Sequence, residues 1–170
     1  MSNAATPTFD SKVFRSVFGH LPTGVVVITS TSESNEPLGI TIGSFASISL
    51  EPPLAGFFIG RSSRTWPLIA ARGTFTANVL SAAQTELCWR FAKDATDGSR
   101  FTGLQVGTSA NGSPVLPDVV ATIDCTVHTT HVVGDHDLVV GAVTDVQARN
   151  TSHPSMVFYR GKTGDARIDT

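Results

Sequence analysis

Between Ala121 and His128 the chain alternates without a break: Ala121, Ile123, Cys125 and Val127 are separated by Thr122, Asp124, Thr126 and His128. Successive side chains of an extended strand point to opposite faces, so a period of two demands a strand with one apolar and one polar face. A turn follows at Gly134-Asp135-His136-Asp137, and Leu138 to Val146 resumes a β-branched run. Two strands joined that closely pair antiparallel. No G-x-G-x-x-G follows any strand-like segment, so a parallel dinucleotide-binding sheet is disfavoured.

The rest of the chain supplies further strands and short helices. Asp10 or Ser11 is placed to cap a helix whose apolar positions Val13, Phe14, Val17 and Phe18 fall at helical spacing, with Pro22 ending it. Val25 to Thr31, Gly39 to Leu50, Leu54 to Ile59 and Thr74 to Leu80 read as strands, broken at Ser32 to Pro37 and at Glu51-Pro52-Pro53. Ser62 or Ser63 opens a second helix that runs through Ala71 and closes at Gly73. Ser81 and Gln84 form a capping-box pattern that opens a third, to about Lys93. Asp94 to Pro117 reads as a long irregular segment with a binding or contact role, and Met156 to Tyr159 as a last short strand. These elements predict a mainly β fold: a closed antiparallel β-barrel with a few short peripheral helices. An N-terminal arm of residues 1–11 and a tail of residues 166–170 flank one domain, 12–165.

Composition narrows the function classes. Hydrophobic residues are 41% and charged residues 15%, which supplies a core and excludes a disordered chain. A net charge of -2 with only 12 lysines and arginines offers no basic face for a duplex, so no nucleic-acid partner is expected. No stretch reaches the ~18 apolar residues of a membrane helix, so no membrane is expected either. Cys88 and Cys125 lack the paired spacing of zinc ligands or a disulfide framework, and no metal site is expected. Met1 to Thr8 lacks a secretory signal, which points to the cytoplasm and reduced thiols. Without secretion the sequons Asn111-Gly112-Ser113 and Asn150-Thr151-Ser152 carry no meaning. Ser2-Asn3-Ala4 is set aside as an expression remnant.

Three segments could carry chemistry. Thr41-Ile42-Gly43-Ser44-Phe45-Ala46-Ser47-Ile48-Ser49 places small hydroxyls and a glycine on an apolar strand and its exit. Such a strand brings backbone N–H groups and short side chains within reach of a flat polar ring or a phosphate. An edge strand with a solvated face is the commoner use of the same pattern. Gly60-Arg61-Ser62-Ser63-Arg64-Thr65 lies where a strand gives way to a helix; helix amides, two arginines and hydroxyls favour an anion there, or form an ordinary cap with solvated arginines. His136 sits in the turn between the two C-terminal strands, where a histidine is often simply exposed. His128 and His131, three apart on a strand, fall on opposite faces and do not share a metal. No G-x-S-x-G serine or activated cysteine is present.

Taken in order, these motifs resemble the short-chain flavin reductases, the reductase components of two-component flavin-dependent monooxygenases with the FMN-binding split-barrel fold. The resemblance rests on Pro22-Thr23-Gly24-Val25, on Ser44-Phe45-Ala46-Ser47-Ile48-Ser49-Leu50-Glu51-Pro52-Pro53, on Gly112-Ser113-Pro114-Val115-Leu116, on Gly134-Asp135-His136-Asp137-Leu138, and on Phe158-Tyr159-Arg160-Gly161. It implies a homodimeric enzyme that uses NADH or NADPH to reduce FMN or FAD for a partner monooxygenase. By the same resemblance Thr41, Ile42, Gly43, Ser44, Ser47, Ile48 and Ser49 hold the flavin ring and ribityl chain, and Ser62, Ser63, Arg64 and Thr65 the phosphate. His136, Tyr159 and Arg160 lie by the nicotinamide. The chain departs from the pattern at Gly43, where many members carry Asn. Two other classes fit the residues alone: a non-catalytic FMN-binding flavoprotein serving as electron carrier or flavin store, and a β-barrel module for an apolar ligand.

Overall fold

The computed structural model describes residues 8–149 and 152–167. Ser2-Asn3-Ala4, Asn150 and Thr151 of the second sequon, and residues 168–170 of the tail lie outside the described residues. Helix α1 (Ser11–Phe18) is followed by β1 (Thr23–Gly24), β2 (Val26–Thr31), β3 (Pro37–Ile42), β4 (Ala46–Leu50) and β5 (Pro53–Gly60). Helix α2 (Thr65–Arg72) leads into β6 (Thr74–Val79), and α3 (Thr85–Ala92) into a single 3-10 turn, Gly98–Phe101. The short β7 (Gly107–Thr108) and β8 (Pro114–Val115) precede the long hairpin of β9 (Ala121–Val133) and β10 (His136–Ala148). A final hairpin joins β11 (Met156–Tyr159) to β12 (Lys162–Asp165).

The helix boundaries follow local chemistry. Asp10 accepts from the N–H groups of Lys12 and Val13 and so caps α1. Gly73 closes α2 in the left-handed region, φ 76°, where a residue without Cβ is unstrained. The capping box before α3 is half formed: Gln84 Oε1 accepts from Ser81 N–H at 2.9 Å, while Ser81 Oγ is buried without a partner.

The main sheet has seven strands in the order β3-β2-β6-β9-β10-β5-β4, every neighbouring pair antiparallel. A separate three-stranded sheet runs β1-β11-β12. The mainly β character and the three short helices match expectation. The expected hydrogen-bonded closure does not: among the described residues no ladder joins β3 to β4. The reason lies at Gly43–Phe45, where the extended run expected from Gly39 to Leu50 turns a corner, so that β4 pairs only with β5.

Strand β2 is buried on both faces, apolar from Val26 to Ile28 and then polar at Thr29 and Ser30, whose hydroxyls donate to backbone carbonyls. Val26 and Ile28 join a core with Phe57, Ile59, Trp66, Ile69 and Phe75, while Val25 and Val27 join a second with Leu87, Phe91, Phe101 and Leu116. Phe57 meets Trp66 and Phe75 edge to face, with centroids 5.4 and 5.7 Å apart. Each such pair adds about 0.5–1.5 kcal/mol beyond burial and fixes α2 against β5 and β6.

The polar phase of β6 and of the first half of β9 is not solvated. Thr76, Asn78, Thr122 and Asp124 are all buried, because the long segment before β9 folds over them. Asp124 accepts from Thr76 Oγ1 at 2.7 Å and from the Asn111 N–H at 3.2 Å, and Asn78 Oδ1 accepts from the Leu116 N–H at 2.9 Å. The irregular segment is thus a polar cover with every polar group of this set paired.

Candidate flavin site

Three of the segments singled out in the sequence meet around the end of β5. In the β4–β5 ladder Ala46 faces Gly56 and Ser47 faces Ala55. One step back from that register, Ser44 replaces backbone pairing with its side chain: Oγ accepts from the Phe58 N–H at 2.9 Å and donates to Phe58 O at 3.2 Å. Gly43 and Ser44 therefore flank the last residues of β5 before the Gly60–Arg64 turn. On the other edge of β5, His136 pairs with Gly60 and Asp137 with Ile59. A Cβ placed on Gly60 would stand 3.8 Å from Ser62 Oγ and 3.9 Å from His136 Nε2, which brings turn and imidazole side by side. The Arg61 N–H donates to Asp135 O at 3.1 Å and ties the two turns together.

His136 is not inside the turn, as expected, but the first residue of β10. The connection is only Gly134-Asp135, with Gly134 at φ 63°, because His136 is already paired with Val133. Its Nδ1 lies 2.7 Å from Asp135 Oδ1, and that contact holds the Asp135 carboxyl below the usual carboxylate range. Among the described residues Nε2 has no hydrogen-bond partner.

The Gly60–Arg64 turn is held by Ser63, whose N–H donates to Gly60 O at 2.9 Å and whose Oγ accepts from the Trp66 N–H at 3.2 Å, the capping bond of α2. Arg64 Nε donates to Asp94 Oδ2 at 2.6 Å. Each partner stabilises the other's charge: Asp94 raises the Arg64 guanidinium, and Arg64 lowers the Asp94 carboxyl. Thr65 is fully buried; its hydroxyl lies 3.1 Å from Asp94 Oδ1 and 2.6 Å from Ala95 O, and accepts from Arg100 Nη2 at 3.2 Å. Arg100 is itself buried and also donates to Phe91 O, Lys93 O and Ala95 O. Burial lowers its guanidinium, against the field of Asp94 and Asp97.

Not every expected hydroxyl is open to a ligand. Thr41 Oγ1 donates to Cys88 O at 2.8 Å, Ser44 is spent on Phe58, Thr65 is internal, and the Ile42 side chain belongs to the core. Ser47 is exposed and Ser49 half-buried, on either side of a bulge at Ile48; among the described residues their hydroxyls and that of Ser62 have no protein partner. Gly43 lines a small cavity of about 180 Å³ with Val25, Thr41, Cys88, Trp89 and Phe158, apolar enough to face a flat ring. Ile48 lies flat across Gly56, where an added Cβ would come within 2.7 Å of Ile48 Cδ1.

Tyr159 and Arg160 stand apart. Tyr159 ends β11, paired with Lys162, and Arg160 opens the two-residue turn to β12, with Arg160 at φ 49° and Gly161 at φ 78°, the pair of positive values such a hairpin favours. The Arg160 N–H donates to Gly19 O at 3.0 Å, and Tyr159 meets the His20 ring edge-on with centroids 6.3 Å apart. Both line a groove of about 720 Å³ with Pro22, Lys162 and Asp165. Among the described residues no hydrogen bond or ring contact links this hairpin to His136.

Asp94, Asp135 and Gly56 were not singled out in the sequence. The Gly-Asp-His order itself signals Asp135; nothing local signals that Asp94 reaches Arg64 across 30 positions. Among the described residues no cluster of His, Cys, Asp and Glu suits a metal ion, and no helix is long and apolar enough to cross a membrane.

The chain is 43% identical over 155 residues to a flavin reductase of Pseudomonas putida, covering 91% of this chain and 89% of that protein. It is 41% identical over 153 residues to HsaB, the reductase subunit of a flavin-dependent monooxygenase of Mycobacterium tuberculosis, covering 89% and 80%. Its fold superposes with a TM-score of 0.85 on the NADH:FAD oxidoreductase SgcE6 of Streptomyces globisporus, solved with NAD and FAD fragments, at 30% identity and covering 96% and 99% of the two chains. A family model described as the flavin reductase like domain matches residues 18–167, and the chain belongs to that family.

Proposed function

We propose that the protein is an NAD(P)H-dependent flavin reductase, which moves a hydride from NADH or NADPH to FMN or FAD and supplies reduced flavin to a partner flavin-dependent monooxygenase. The observation that carries this reading is the convergence at the end of β5 of the Gly43–Phe45 corner, the Gly60–Arg64 turn and His136.

The residues present fit a flavin. Backbone groups of Thr41 to Ser49 and the free hydroxyls of Ser47 and Ser49 face the ring and ribityl chain, with Gly43 and the apolar cavity beside it giving room for close approach. Ser62, Ser63 and Arg64 take the phosphate, and Thr65 supports them from beneath through Asp94 and Arg100. When bound, flavin supplies the hydride acceptor, so the protein needs no nucleophile of its own. Its part is to stack the two rings and exclude water, with His136 Nε2 orienting the dinucleotide while Asp135 holds the imidazole from its other nitrogen.

Tyr159 and Arg160 reach the nicotinamide in an assembly of two chains. Supporting a homodimer, α1 exposes Val13, Phe14, Val17 and Phe18 on one face, more apolar surface than a lone helix leaves in water. Residues 12–165 form the domain, the sheet closes into a split barrel by side-chain packing between β3 and β5 across the first core, and the enzyme works in the cytoplasm. The test is spectrophotometric: consumption of NADH and of NADPH, each with FMN, FAD and riboflavin. Flavin-dependent oxidation of either dinucleotide supports the reading; tight FMN binding with no oxidation returns the protein to the carrier class.

A further inference from the structure

On the reading that the Ser62–Thr65 segment holds the flavin phosphate, we propose that Asp94 is a resident competitor for that phosphate, occupying Arg64 in the empty site and releasing it when flavin enters. Of its guanidinium Arg64 gives Asp94 the Nε, at 2.6 Å, and among the described residues its two terminal nitrogens have no protein partner. Its side chain is 69% exposed, so the pair sits in water, where an ion pair adds little to folding and opens at little cost. The other arginine of the turn, Arg61, makes a looser pair with Asp137 at 3.8 Å. Arg64 is therefore the cation of the turn most fully claimed by a carboxylate.

Asp94 is not stranded when Arg64 leaves. Its side chain is 37% exposed, its Oδ1 keeps the Thr65 hydroxyl at 3.1 Å, and the buried Arg100 meets it on that same hydroxyl. A dianionic phosphate and a carboxylate thus contend for one guanidinium, and the loser has water and Arg100 to fall back on. The arrangement holds flavin loosely, as an enzyme must if its product flavin leaves for another protein.

The test is calorimetric titration of FMN and of riboflavin, which lacks the phosphate, into the wild type, Asp94→Asn, Arg64→Ala and the double variant. Asp94→Ser is the second variant, should the amide disturb the Thr65 contact, with thermal melting as the folding control. Asp94→Asn tightens FMN about twofold to fivefold, the range of an exposed ion pair, leaves riboflavin unmoved, and gives no gain once Arg64 is alanine. Unchanged or weaker FMN binding, a parallel gain for riboflavin, or a gain that survives without Arg64 overturns the proposal. If wild-type FMN binds no better than riboflavin and Arg64→Ala alters neither, the phosphate site itself is wrong, an outcome distinct from failure of the Asp94 variants.

Discussion

Replacing His136 by alanine separates the roles assigned to the two ends of the site. The His136 side chain is 48% exposed and Asp135 95% exposed, so neither depends on the other for burial. The ladders to Gly60 and Val133 are made by main chain and survive the substitution. Stability should therefore change by no more than about 0.5 kcal/mol, the ordinary range for a surface position. What is lost is one hydrogen bond from Nε2 to the dinucleotide, worth about 0.5–1.5 kcal/mol net, or about twofold to thirteenfold in apparent affinity. Steady-state oxidation is measured twice, with the dinucleotide varied at saturating FMN and with FMN varied at saturating dinucleotide. The KM for NAD(P)H should rise by that factor while the KM for flavin stays within about half of it. Unchanged kinetics would remove His136 from the site. An equal rise for flavin would mean that the imidazole supports the Ser62 turn rather than the nicotinamide.

Two further outcomes follow from the same structure. Arg64→Ala should weaken FMN several-fold and leave riboflavin almost untouched, read by titration; equal losses for both ligands would refute its phosphate role. Cys125 is fully buried, and burial together with Asp124 pushes its thiol up to about 12; Cys88 is raised by burial as well. Neither thiol should react with iodoacetamide at pH 8 until the protein unfolds, as mass spectrometry would report. The linked stability has a definite sign. The folded state holds the Cys125 proton more tightly than the unfolded chain, so its contribution is complete below pH 9 and declines by up to about 1.4 kcal/mol per pH unit as pH climbs toward 12. Labelling of native Cys125 at the rate of a free thiol would contradict the burial.

Much of the fold was legible because local rules and tertiary packing agree. The alternation from Ala121 to His128 marked the long hairpin, and Asp10, Ser63 and Gly73 each cap or close the helix they were expected to. The extended run from Gly39 to Leu50 concealed a corner, since Ser44 continues the pairing with its side chain and leaves the hydrophobic pattern undisturbed. The alternation marked Asp124 as part of a polar face, but nothing in it told that the segment from Asp94 to Pro117 covers Asp124 and Thr76; a cover supplied from elsewhere in the chain has no periodicity to betray it. The site divides the same way. Ser44 and His136 stand beside the last residues of β5, opposite Phe58 and Gly60, by strand register, which short motifs foretell, while Ser47 pairs with Ala55 nearer the other end of that strand. Which hydroxyls are free and which are consumed by Cys88, Phe58 or Asp94 depends on contacts between distant elements, and so does the Asp94 brace on Arg64.

The most direct measurement is hydrogen exchange of the backbone amides with and without FMN. A single flavin held by the strand exit and the helix start should slow exchange at residues 43–48 and 61–65 together, with the Asp135–His136 amides following when an oxidised dinucleotide is added. Slowing at only one of the first two segments, or at neither while FMN is bound, would show that they do not serve the same molecule.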